Sequence, residues 1–266
     1  MTDQADPHDG AETGSCRGAA DAPVDDSSYL GAAQDCLDLW ASAVPVACDA
    51  DDQVLFNVAF PLVAHAMNQV ATALLVGEQF PLVAAGAARV ALEHAVAAQW
   101  VLLTAGGPEQ LVRAMEHAFL TRAHAFSEAL DHPPELAGLD ATQSVDGRLR
   151  SWNIGNVMNR FATGGLFYDL YRELSGAVHP SYATLQAHTD IRTSHAVTRI
   201  DRHGAETRVD CVAQVLGLSA VLAMDTLERI RTPDSRLDQV QAIARAAGLP
   251  ADLASGDTRP DLWPTG

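Results

Sequence analysis

From Pro81 to Thr104 the chain reads PLVAAGAARVALEHAVAAQWVLLT, with eight alanines in 24 residues and only Arg89, Glu93 and His94 as titratable interruptions. Alanine is the best helix former and a poor core filler. A chain that relies on it must bury its helices by packing them closely, which points to an all-α bundle. Hydrophobic residues make up 48% and aromatics only 6%, so small side chains carry the apolar character throughout.

Punctuation along the chain marks an up-and-down bundle of six to seven helices. A first helix is expected over Ser28–Ala43, and a second over Asp51–Val76, starting late or kinked at Pro61. A third over Pro81–Thr104 ends at AGGP. A fourth over Pro108–Leu130 has proline and glutamate in its first turn. DHPPELAGLD opens a loop that runs to about residue 147. A fifth helix is expected over Arg148–Ala162, a sixth over Leu166–Val178, and helical structure after Pro180 to about His188. Thr189–Arg208 alternates β-branched and polar residues around RHGAE, as a short hairpin or ordered loop would. A long helix over Val209–Arg231, apolar on one side, and a short one over Leu237–Ala247 complete the chain. The domain reading is an acidic, disordered tail over residues 1–26, a helical bundle over 27–231, and a short helix with a flexible tail over 232–266.

The net charge is −17; residues 1–26 carry −6 of it, leaving −11 on the rest. An acidic surface excludes general affinity for nucleic acid or anionic membrane. All 17 basic residues are arginine, the mark of a GC-rich bacterial coding bias. Cys16, Cys36, Cys48 and Cys211 have no metal-type spacing and read as buried or incidental thiols of a reducing cytoplasm. The acidic, Gly/Ala-rich N-terminus is not expected to act as a secretory signal. The two most apolar segments are interrupted by His65, Asn68 and Gln69, and by Arg89, Glu93 and His94, so no membrane span is expected. There is no Walker-type phosphate loop, nucleophile elbow or zinc spacing, and no cofactor or metal is expected.

LYRELSGAVHPSY, Leu170–Tyr182, concentrates the candidate chemistry. At helical spacing Phe167, Tyr171, Leu174 and Val178 form a core-facing stripe, and Tyr168, Arg172, Ser175, His179 and Tyr182 a second one about a quarter turn away. His179 precedes proline and so sits where the helix is interrupted. Arginine offers a permanent planar cation for phosphate oxygens, and histidine a proton acceptor near neutral pH. Together they suit metal-free phosphodiester cleavage by a ribose 2′-hydroxyl, with His179 as general base or acid and Arg172 stabilising phosphorane charge. The spacing itself is unspecific: chance gives roughly two such Arg–His pairs, and the chain holds two, Arg89 with His94 and Arg172 with His179.

Arginine, six residues, then histidine near the end of a bundle helix resembles the signature of the HEPN superfamily of helical bundles, although Glu173 meets only loosely its preference for a polar residue after the arginine. Over residues 55–230, AARVALEHAVAAQW, SWNIGNVM and YRELSGAVHPSY are similar to a bacterial helical family classed as a domain of unknown function, matched at Arg89, Glu93, Trp152, Tyr171, Ser175 and His179. The HEPN resemblance implies a metal-independent endoribonuclease of a defence or toxin–antitoxin system, a homodimer, and a cognate antitoxin or other protein partner.

Arg89 and Glu93, one turn apart in apolar surroundings, read as a partly buried pair reaching a neighbouring helix, able to orient Arg172 or His179 where the helices adjoin. His117, His124 and Glu128 share a helix face that reads as solvated; a di-iron site needs glutamate followed three residues later by histidine, and the chain has none. Arg192, Arg199, Arg202 and Arg208, with His195 and His203, gather positive charge offset by Asp190, Asp201 and Glu206; in a ribonuclease they are the candidate RNA-backbone contacts. Two function classes follow. One is a metal-independent endoribonuclease with Arg172 and His179 at its centre. The alternative is a non-catalytic helical module that binds a protein partner or small ligand.

Overall fold

The computed structural model describes residues 25–42, 47–48, 52–129, 153–161, 164–179, 184, 188–191, 197–200, 209–232 and 234–253. These form helices α1 (Asp26–Ala41), α2 (Gln53–Val76), α3 (Pro81–Leu103), α4 (Gly107–Ala129), α5 (Ile154–Met158) and α6 (Gly164–Val178). Strands β1 (Thr189–Ile191) and β2 (Val197–Ile200) follow, then α7 (Val212–Ile230) and α8 (Leu237–Ala246). The protein is an all-α bundle with one small antiparallel hairpin, in which Thr189 pairs with Ile200 and Asp190 with Arg199.

Local chemistry accounts for the helix ends. The Asp25 carboxylate accepts a hydrogen bond from the Ser28 amide at 3.0 Å and starts α1, so the bundle begins two residues inside the stretch expected to be tail. Pro81 occupies the first turn of α3, and Gly106, at φ 66°, turns the chain into α4. Pro61 lies within α2 and the helix runs through it. It sits on the exposed face, where the carbonyl of Asn57, deprived of its helical donor, meets water instead. α5 is shorter than the expected Arg148–Ala162; residues 148–152 lie outside the described set.

The core is built by α2, α3 and α7, with α1 on α7 and α6 on α3. α7 was expected to be apolar on one side. Instead 16 of its 19 residues are buried, because α1, α2, α3 and α8 surround it. Close approach is built in at Gly217, where a Cβ would stand 2.8 Å from the Tyr29 carbonyl oxygen. The bundle also extends past residue 231: Val240, Ala244, Ala247, Leu249 and Leu253 join the core, so residues 234–253 are part of the domain and not a tail. By length and composition α2 alone among the described helices is apolar enough to cross a membrane; here its Val63, Ala66, Met67 and Val70 are fully buried.

Two buried polar networks join α7 to its neighbours. The Gln99 amide nitrogen donates to the Leu222 carbonyl (3.1 Å), Asp225 Oδ2 (2.9 Å) and Thr226 Oγ1 (3.1 Å), so two protons serve three acceptors. Asp225 also accepts from Arg229 Nε at 2.8 Å. At the end of α7, Glu228 Oε1 accepts from Arg231 at 3.0 Å and Arg236 at 2.9 Å, while Arg236 reaches the Leu39 carbonyl at 2.9 Å. The C-termini of α1 and α7 and the start of α8 are thereby tied together.

Candidate functional site

The packing of α6 on α3 decides what the polar stripe of α6 can meet. α6 buries Phe167, Leu170 and Leu174, while Val178 is 47% exposed and Tyr171 is half-buried. The buried face is therefore rotated toward Leu170 from the expected Phe167–Tyr171–Leu174–Val178 line. Positions i, i+3 and i+7 make an equally good helical stripe. The rotation moves Tyr171 to the rim, beside α3. Gly86 of α3 marks the close approach, since a Cβ there would lie 3.5 Å from Val178.

Arg89 is the hub. Its Nη2 donates to the Tyr171 hydroxyl at 2.7 Å and faces Glu93 Oε1 at 3.2 Å. Its Nη1 stands 3.5 Å from His179 Nε2, and its guanidinium carbon lies 4.7 Å from the centroid of the Tyr171 ring. Arg89 and Glu93 keep 17% and 26% side-chain exposure, so the ion pair is half-desolvated and closer to a positioned group than to a free surface pair. Arg89 Nε is buried without an acceptor among the described residues.

His179 is exposed and lies just past the end of α6. Its amide still donates to the Ser175 carbonyl at 3.1 Å, and its own carbonyl accepts from Thr184 Oγ1 at 3.0 Å. Thr184 thus covers a free carbonyl at the helix end, a role that a side chain five residues past a helix-ending histidine could have suggested. Ser175 spends its hydroxyl on its own helix, donating to the Tyr171 carbonyl at 2.7 Å.

Arg172 is also exposed, but its guanidinium lies 6.0 Å from the centroid of the Tyr168 ring. The cation that meets His179 comes from α3, and Arg172 stands about 10 Å back along the stripe by helical rise. Tyr168 in turn rests on α5: a Cβ at Gly155 would come within 2.8 Å of its ring. The structure thus brings Arg89, Glu93, Tyr171 and His179 together where α3 meets α6, with Tyr168 stacked on Tyr171 and Arg172 beside Tyr168. Trp152, Tyr182, Arg192, Arg202 and Arg208 lie outside the described residues, as do the side chains of His124, Glu128 and Arg199; Arg199 is placed only by its backbone pairing with Asp190.

The other Arg–His pair does not form a unit. The His94 ring is half-buried, hydrogen-bonded through Nδ1 to the Val90 carbonyl at 2.8 Å and packed on the His65 ring at 4.4 Å. Burial lowers its pKa, since desolvation favours the neutral ring. Cys36 and Cys211 are pushed up to about 12, chiefly by burial, and neither is a ready nucleophile. Compared with family models, curated proteins and solved structures, the chain matches none.

Proposed function

We propose that the protein is a metal-independent endoribonuclease whose reacting pair is His179 and Arg89. The observation that carries this reading is the 3.5 Å contact between Arg89 Nη1 and the exposed His179 Nε2. It sets a permanent cation beside a proton acceptor at a solvent-facing edge. His179 takes the proton of a ribose 2′-hydroxyl as that oxygen attacks the adjacent phosphorus. The bond from phosphorus to the 5′-oxygen breaks and that oxygen takes a proton from solvent, leaving a 2′,3′-cyclic phosphate and a 5′-hydroxyl. Arg89 stabilises the extra negative charge on the phosphorane oxygens, with Glu93 and Tyr171 fixing its orientation. Arg172 contacts a neighbouring phosphate.

A second reading is favoured by one observation: Glu93 and Tyr171 already occupy Arg89, as in a clamp that only holds α3 to α6. The protein is then a non-catalytic helical module for a protein partner or small ligand. Incubation of the purified protein with varied RNAs in EDTA separates the two. The enzyme yields 2′,3′-cyclic phosphate ends, abolished in His179→Ala and strongly reduced in Arg89→Lys, with both variants folded. Intact RNA with folded wild-type protein, with and without candidate activators, removes the enzymatic reading.

A further inference from the structure

On the α2–α3 turn, where the starts of α1, α3 and α7 converge, lies an open cavity of about 590 Å³. Its floor is apolar and includes Leu30, Leu74 and Leu216. Its rim carries three carboxylates from three separate segments: Asp26 of α1, Glu78 of the turn after α2, and Asp210 just before α7. All three are exposed. No arginine or histidine lines the cavity among the described residues.

Two of these acids have an ordinary reason to be there, since Asp26 and Asp210 sit at helix starts, where the helix dipole favours negative charge. Glu78 lies in the turn between α2 and α3, two residues after Val76 and three before Pro81, so the dipole of α2 opposes its charge while that of α3 favours it. The three carboxylates together set a negative potential at the rim. The cavity's volume falls in the range of small-ligand sites. Apolar contact with the floor rewards a hydrophobic body of any charge, while the rim repels anions and attracts cations.

We propose that this cavity binds a hydrophobic organic cation, with the hydrocarbon body on Leu30, Leu74 and Leu216 and the positive charge between Asp26, Glu78 and Asp210. The site is separate from the Arg89–His179 cluster, and its occupancy does not depend on the catalytic reading.

Tetraphenylphosphonium and tetraphenylborate have nearly the same size and shape and opposite charge, so they isolate the part played by the rim. Titration of the full-length protein by calorimetry should give saturable binding of the phosphonium and about tenfold or weaker binding of the borate. The double substitution Glu78→Lys and Asp210→Lys, at exposed positions that leave the core untouched, should weaken phosphonium binding about tenfold or more. A control pair away from the cavity, Asp35→Lys with Glu116→Lys, changes net charge equally and should leave binding unchanged. Equal binding of both ions, binding of neither, or an equal loss in the control pair would each overturn the proposal.

Discussion

The chain places charge in two settings, and the contrast between them distinguishes structure from available chemistry. At the end of α7, Glu228 and Arg231 are almost fully buried, with side-chain exposures of 0% and 1%. The Glu228 carboxylate takes bonds from Arg231, from the Arg236 guanidinium and, at 2.6 Å, from the Arg236 amide. Glu228 and Arg231 do not face solvent, and although Arg236 keeps 15% side-chain exposure, its bonds run inward and tie the end of α7 to the start of α8 and the end of α1. At the α3–α6 rim, Arg89 is held as firmly by Tyr171 and Glu93, yet its third contact is an exposed histidine. A buried charge that has used its valences inward is scaffold. One that is fixed from behind and open in front is a candidate for ligand contact.

The largest expected effect lies on the buried side. Glu228→Ala takes this carboxylate away from the buried Arg231 and the part-buried Arg236, and should cost about 3–5 kcal/mol. Urea unfolding reads this directly, as a lower midpoint with an unchanged slope. A loss below about 1 kcal/mol would mean that Arg231 and Arg236 reach solvent easily, and the contrast would collapse.

Arg89→Ala should cost less, about 1–2 kcal/mol, from the lost Tyr171 bond and ring contact. Glu93, left alone, is exposed enough to be hydrated. The same unfolding measurement checks it. A loss as large as that of Glu228→Ala would place Arg89 with the scaffold and favour the clamp reading.

Asp225 sharpens the contrast through pH. Burial raises its pKa above the ordinary value of 3.8, against the hydrogen bonds from Arg229 and Gln99 that lower it. Its Oδ1 is buried with no donor among the described residues, so nothing on that side offsets loss of hydration. A raised folded value means that the folded state holds the proton more tightly than the unfolded one. The associated stability is full below 3.8 and is lost as pH rises through the folded value. Asparagine does not titrate. The stability of wild type minus that of Asp225→Asn should therefore fall as pH rises from about 3.8 toward neutrality, measured by urea unfolding at each pH. A difference that grows over that range would show that Arg229 outweighs burial.

Much of the fold was legible because its boundaries are chemical. Proline at Pro81, the glycines before Pro108 and the glutamate at Glu109 each act on adjacent backbone, and adjacency is what a sequence displays. The site was legible by residue and not by pairing. Arg89, Tyr171 and His179 were all singled out, yet the cation that meets His179 is 90 residues away. That partnership depends on the rotation of α6 toward Leu170, which two equally good apolar stripes left open. The Gln99 hub escaped notice because one amide among alanines has no pattern. Its acceptor Asp225 did leave a signal: it lies in a helix otherwise rich in apolar residues, and a buried carboxylate demands partners.

The smallest expected effect is the most discriminating. His179→Ala removes an exposed ring whose one hydrogen-bonding contact among the described residues is the 3.5 Å approach of Arg89. Everything else that His179 contributes is backbone: its amide bonds the Ser175 carbonyl, and its carbonyl accepts from Thr184. Alanine keeps both. Arg89 keeps Tyr171 and Glu93, so no charge is stranded. Thermal and urea unfolding should therefore move by no more than about 0.5 kcal/mol. A histidine that bears on the fold would cost more than its contacts explain, and the α6 terminus would then be a structural junction. With stability unchanged, any loss of RNA cleavage in the same variant belongs to the chemistry of the ring.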